Sequence, residues 1–135
     1  MAAYNGNTRE RLLDAASDVF ARKGYAQATI AEICDKAQAN IAGVNYHFRG
    51  KEKLYAEVWP YAVQLTRAKY PVFEDNKDPN PEHWLLQHIT AMVHVTFDRS
   101  DAGRFIRILQ HEVRSPSPAF ELLRTEHILP MIMML

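Results

Sequence analysis

The sequence predicts an all-α protein, and three observations carry that prediction. Apolar residues recur at i, i+3 and i+4 spacing along most of the 135 residues. Cap-forming residues stand just ahead of those runs, twice with Glu three positions later, as in Asn7…Glu10 and Thr29…Glu32. No stretch alternates apolar and polar residues as a half-buried strand does.

The first helix opens after Asn7 and places Leu12, Leu13, Ala16, Val19 and Phe20 on one face. Arg22 and Lys23 suit its last turn and Gly24 supplies the stop. The second opens at Thr29, presents Ile30, Ile33 and Ala37, and ends near Ala37. A tight turn at Gln38-Ala39 leads to a third, capped by Asn40 and ending near His47. The fourth starts near Lys51 and carries Leu54, Tyr55, Val58, Trp59, Ala62 and Val63, with a bend or an early end expected at Pro60. Residues 71–81 hold three prolines and read as a connecting loop. Helices are expected over 82–98 and 101–114, and another from Ser117 as N-cap with Pro118 at its first position. The final run Pro130–Leu135 is apolar and uncapped, which reads as part of a longer chain.

Composition narrows the function. Sixteen basic and sixteen acidic side chains balance to zero, which looks unfavourable for a nucleic-acid binder because phosphate neutralisation supplies much of the affinity. The total hides a mild division: residues 1–53 carry eight bases and six acids, and residues 54–135 carry eight and ten. The single cysteine, Cys34, excludes an internal disulfide and reads as a small buried hydrophobe. No run is long enough to cross a membrane, and Met1–Asn7 lacks a signal-peptide pattern, so the expected location is cytoplasmic. No Gly-rich phosphate loop, nucleophile elbow or metal motif points to an enzyme, and the histidines of the second half show no ligand-type spacing. No cofactor is called for.

Two short helices joined by a tight turn form a helix-turn-helix arrangement. On the wheel of the second, Ile41, Val44 and Phe48 cluster toward Ile30 and Ile33 while Tyr46 points the other way. Ala42 and Gly43 beside Tyr46 remove bulk where a helix approaches a major groove. Ala42 suits a thymine methyl, and Asn45 suits an adenine edge. Tyr46, His47 and Lys51 offer donors to phosphates. Periodicity alone leaves another reading open, a three-helix core with Tyr46-His47 as a solvated edge.

The stretch Thr8–Leu54 resembles the TetR family of bacterial transcriptional regulators. It contains Thr8-Arg-Glu-Arg-Leu-Leu-Asp-Ala-Ala, Val19-Phe-Ala-Arg-Lys-Gly24-Tyr25, Ala28-Thr-Ile-Ala-Glu-Ile33, Asn45-Tyr-His-Phe48 and Lys51-Glu-Lys-Leu54 in order. Asn40–Phe48, with Glu112–Glu121 and Ile128–Pro130, is similar to the subset carrying a CecR-type C-terminal domain. The resemblance implies a DNA-binding head over residues 1–53, joined by a fourth helix to a ligand-binding and dimerisation body over 54–135, the body being partial here. It implies a homodimer on a double-stranded, palindromic operator, released when a small-molecule effector binds. By position, Thr29 caps the motif and touches a phosphate, Asn40 to Gly43 and Asn45 face the groove, and Tyr46, His47 and Lys51 grip the backbone.

Three departures accompany the match. Gln38 stands where Gly is usual, so the left-handed turn is absent or strained. Gly43 weakens the recognition helix, and Gly50 replaces a common Ser cap. These departures motivate an alternative, a small-molecule-binding or interaction module with a vestigial helix-turn-helix. In the body, Trp84, His88, Met92, Phe105 and Leu109 are candidate walls for a planar effector, though each suits the core more readily than a ligand wall.

Overall fold

The computed structural model describes residues 7–73 and 78–133, and the described residues form helices and turns without strands. The eight α-helices are α1 (Thr8–Gln27), α2 (Ile30–Ala37), α3 (Ile41–His47), α4 (Lys51–Lys69), α5 (Pro81–Phe97), α6 (Arg104–Arg114), α7 (Phe120–Leu123) and α8 (Leu129–Met133). Short 3₁₀ turns at Pro71–Phe73 and Asp101–Gly103 precede α5 and α6, and a π-helical turn, Arg124–Ile128, joins α7 to α8.

Local chemistry starts the first three helices. The Asn7 side chain accepts from the Glu10 N–H at 2.9 Å, Thr29 from Glu32 at 3.2 Å and Asn40 from Gly43 at 3.0 Å. Each takes up an N–H that the helix leaves unpaired. Gly24, at φ 78°, breaks the regular course of α1 where a stop was expected.

The buried cluster is continuous from Leu12, Phe20 and Ile33 through Leu54, Tyr55 and Trp59 to Phe105, Ile108 and Leu123. It crosses the expected boundary at residue 53, because α6 lies against both α1 and α4. Aromatic rings run the same way. Phe20 meets Tyr55 edge-on at 4.8 Å, Tyr55 meets Trp59 at 6.0 Å, and Trp59 meets Phe105 at 5.5 Å. Polar contacts reinforce the seam. Arg104 of α6 donates to the Asp14 carboxylate at 2.8 Å and the Ser17 hydroxyl at 2.9 Å, and His111 contacts the Ala21 carbonyl at 3.0 Å.

Two expected boundaries are corrected. The fourth helix does not end at Pro60 but continues to Lys69. Pro60 faces solvent, while Val58, Trp59, Ala62 and Thr66 are buried, so tertiary packing holds the helix through the missing N–H. Ser117 does not cap a helix starting at Pro118. Its backbone N–H donates to the Glu112 carboxylate at 2.8 Å, and α7 begins only at Phe120. The expected loop 71–81 is partly described, with 74–77 outside the described residues. Of the apolar run 130–135, residues 134 and 135 also lie outside them.

The α5 helix buries only Ala91 and Val95. Leu85, Leu86, Ile89, Met92, Val93 and Phe97 remain exposed, an apolar face with no described element over it.

Candidate nucleic-acid interface

The Gln38 turn sets the angle between α2 and α3. Gln38 adopts φ 52°, ψ 47°, so the left-handed turn is present without glycine. That conformation costs a non-glycine residue roughly 1–2 kcal/mol. Its N–H and that of Ala39 close the turn onto Asp35 and Cys34 carbonyls at 3.2 and 2.9 Å. Cys34 is buried and burial pushes its thiol up, in keeping with a structural hydrophobe.

Val44 and Phe48 anchor α3 in the core. Ile41 does not join them. It is 57% exposed, because it opens a seven-residue helix whose inward face the other two already fill. Its apolar surface instead stands beside exposed Ala42 on the outer face. Asn45 is exposed there and Tyr46 is 84% exposed, its ring edge-on to that of half-buried His47 at 4.9 Å.

Gly43 is half-buried and leans toward α1. A Cβ there would lie 3.5 Å from the Thr8 methyl and 3.8 Å from Leu12, ordinary contact distances. Asn40 spends its side-chain oxygen on the Gly43 N–H, and Thr29 spends its hydroxyl oxygen on Glu32. Both therefore position the motif locally while remaining exposed. Lys51 is half-buried with its ammonium 4.4 Å from the Tyr25 ring centroid, and burial lowers its pKa. Gly50 caps α4 without a side-chain bond, at φ 128°, a value that disfavours the Ser its position would otherwise accept.

Alongside α3 lies an open concavity of about 640 Å³, lined by Thr8, Arg11, Gln38, Ala39, Asn40, Ala42, Gly43, Tyr46 and His47. Five of the nine residues expected to face DNA line it, Asn40, Ala42, Gly43, Tyr46 and His47; Thr29, Ile41, Asn45 and Lys51 do not. Thr8, Arg11, Gln38 and Ala39 were not anticipated as lining. Arg11 was visible only as a cation on the first helix.

The body residues named from sequence do not gather. Phe105 is buried against Trp59 and Leu109 packs on the core, so neither offers a free wall. Trp84 and His88 face each other at 4.0 Å on α5, and Met92 is exposed. A groove on α5, about 410 Å³, is lined by Tyr70, Val72, His83, Leu86, Gln87, Thr90, Ala91 and His94 and contains none of the five. Among the described residues no His, Cys, Asp and Glu group of three or more is placed to hold a metal ion.

An exposed short helix with two buried anchors, set by a tight turn against a capped partner helix, defines the class: a helix-turn-helix protein. Residues 12–58 match the family described as bacterial regulatory proteins, tetR family. The chain is similar to the HTH-type transcriptional regulator SrpR of Pseudomonas putida, 42% identical over 50 residues, covering 37% of this chain and 24% of that one. It is 32% identical over 95 residues to the HTH-type transcriptional repressor BepR of Brucella suis, covering 66% of this chain and 43% of the other. Among solved structures, a linker-substituted HlyIIR mutant superposes with a TM-score of 0.67 at 30% identity, over 90% of this chain and 63% of that one. The tetR-family match covers about a third of the chain, the helix-turn-helix and the helices that flank it. The chain spans about a quarter to under a half of the curated relatives named here.

Proposed function

We propose that this chain is a sequence-specific DNA-binding transcriptional regulator that inserts α3 into a major groove. The presentation of α3 carries the reading. Val44 and Phe48 hold it to the core while Ile41, Ala42, Asn45 and Tyr46 stand clear of the protein. That division leaves small and apolar groups for base edges and hydroxyl or imidazole donors for phosphates. The names of the relatives as regulators and a repressor support repression as the mode of action.

The finer reading is a homodimer on a palindromic operator, with two heads reaching successive grooves about 34 Å apart. The uncovered apolar face of α5 supports a body that associates with further protein surface. A small-molecule effector bound in that body would release the operator, and the α5 groove, with His83, Gln87, Thr90 and His94 beside Leu86 and Val72, supports a mixed polar and apolar ligand. The rival reading, a module with a vestigial helix-turn-helix, loses its motive. Gln38 holds the turn without glycine, and Gly43 packs on α1 at ordinary distances.

Fluorescence anisotropy against duplex DNA from upstream of the protein's own reading frame tests the proposal. Specific binding that exceeds binding to a scrambled duplex is expected. Equal affinity for both, at low as well as physiological salt, overturns sequence-specific recognition.

A further inference from the structure

The cations of the head fall into two groups. Arg9 pairs with Glu57, Arg22 with Asp18 and Glu32, Lys23 with Glu32, and Lys36 with Asp18. Arg11, Arg49, Lys51 and Lys53 make no ion pair among the described residues. Of these four, Arg11 lies on the opposite end of α1 from Tyr25, the residue that carries the Lys51 ammonium. Thirteen helical steps separate Arg11 from the break at Gly24, next to Tyr25, roughly 20 Å at about 1.5 Å per residue. A major groove about 12 Å wide, with phosphates on both lips, fits between two such cations.

Arg11 also lines the concavity beside α3, together with Thr8, Tyr46 and His47. Its Nε is fully covered and has no hydrogen-bond acceptor in the protein. A guanidinium offers donors in a planar fork that matches phosphate oxygens and keeps its charge when partly desolvated. A neighbouring carboxylate would have satisfied it, as one does for Arg9, Arg22 and Arg104. None is supplied, although Glu10 is next in sequence.

We propose that Arg11 is a DNA-backbone ligand, taking a phosphodiester oxygen on one lip of the groove that α3 enters, while Lys51 faces the other lip. The assignment rests on the DNA-binding reading above and extends the protein's footprint from the helix-turn-helix to the first turns of α1. An anchor at each end of α1 fixes the yaw of α3 in the groove, so Arg11 positions the reading helix without reading bases.

The test is the salt dependence of duplex binding by the 135-residue chain, followed by anisotropy with the upstream duplex and a scrambled duplex over a series of KCl concentrations. Each phosphate contact contributes about 0.9 to the slope of log Kd against log salt. Arg11→Gln is expected to lower that slope by about one on both duplexes, with affinity falling by a similar factor on each. Arg11→Lys is expected to retain most of the slope. Arg11→Met keeps the aliphatic stem and removes only the guanidinium, so it repeats the Arg11→Gln result even where Gln disturbs packing. A wild-type slope in folded Arg11→Gln and Arg11→Met overturns the assignment while leaving the DNA-binding reading intact. A wild-type chain that binds neither duplex at low salt overturns both.

Discussion

The Tyr55 hydroxyl on α4 donates to the Glu112 carboxylate on α6, and both side chains are buried, Glu112 to 2% exposure. The same carboxylate accepts the Ser117 backbone N–H at 2.8 Å. One anionic group thus joins the helix leaving the head to the corner between α6 and α7. Burial pushes the Tyr55 hydroxyl well above its ordinary pKa, and the Glu112 carboxylate adds to that shift, so Tyr55 stays a donor at any physiological pH.

Removing the two partners has unequal consequences. Glu112→Ala strips the acceptor from the buried Tyr55 hydroxyl and the part-buried Ser117 N–H and opens a void, so a loss of about 3 kcal/mol in folding stability is expected. Tyr55→Phe leaves Glu112 its backbone donor and is expected to cost about 1–2 kcal/mol. Urea unfolding of the single and double variants measures the coupling directly. Additive losses would mean that the contact contributes nothing specific.

Asp98 supplies a pH-dependent term at the far end of α4. It receives Lys69 at 2.7 Å, the Tyr70 hydroxyl at 2.7 Å and the Ser100 N–H at 2.8 Å. Lys69, then Ser100 and Tyr70, hold its carboxyl far below the usual range near 3.8. A folded-state pKa below the unfolded one means that the native state binds fewer protons. The stabilisation is therefore complete above about pH 5 and is lost as pH falls through 4 toward the folded value. Asp98→Asn is expected to lower the melting temperature at pH 7 and to flatten its decline between pH 5 and 3. A parallel decline in wild type and variant would locate the acid sensitivity elsewhere, with Asp18 next, held low by Lys36 and Arg22 against the opposing effect of burial.

Cap chemistry made much of the head legible in the sequence. Asn7, Thr29 and Asn40 bond to N–H groups three residues away, so a local reading finds them. The inward positions of Val44 and Phe48 follow from helical period alone. Ile41 was misplaced because the period assigns a direction but not where the neighbouring helix ends. Pro60 and Ser117 were misread for a different reason. Their outcomes depend on the packed face of α4 and on Glu112, contacts that local propensity does not see. The link of Arg104 to Asp14 spans ninety positions, and no spacing rule announces it. The body residues were ambiguous on the same ground, since Phe105 and Trp84 suit core or wall until the neighbours are known.

Tyr46 separates folding from recognition. At 84% exposure its ring contributes little to the core, touching only His47 among the described rings. Tyr46→Ala is expected to leave the melting temperature within about 2 °C, a surface substitution worth less than roughly 0.5 kcal/mol. Affinity for the upstream duplex is expected to fall about tenfold, near the worth of one hydrogen bond to a charged phosphate, ~1.5 kcal/mol. Unchanged affinity would move the docking face off this side of α3.

Gly24 and Gly43 give opposite outcomes for the same substitution. Gly24 sits at φ 78°, and a Cβ there would approach the His111 imidazole at 3.1 Å. That ring is tied to the Ala21 carbonyl, so it has little room to retreat. Gly24→Ala is expected to cost 2 kcal/mol or more, about 1–2 from the left-handed backbone and the rest from crowding at the head–body seam. Gly43 has helical geometry, and its added Cβ would meet Thr8 and Leu12 at ordinary distances. Gly43→Ala is expected to stabilise the fold by up to about 1 kcal/mol through helix propensity. Thermal unfolding of the two variants checks both signs. If Gly43→Ala destabilises instead, α3 lies closer to α1 than these distances state. If it stabilises the fold but weakens DNA binding, the groove floor comes within a methyl group of position 43.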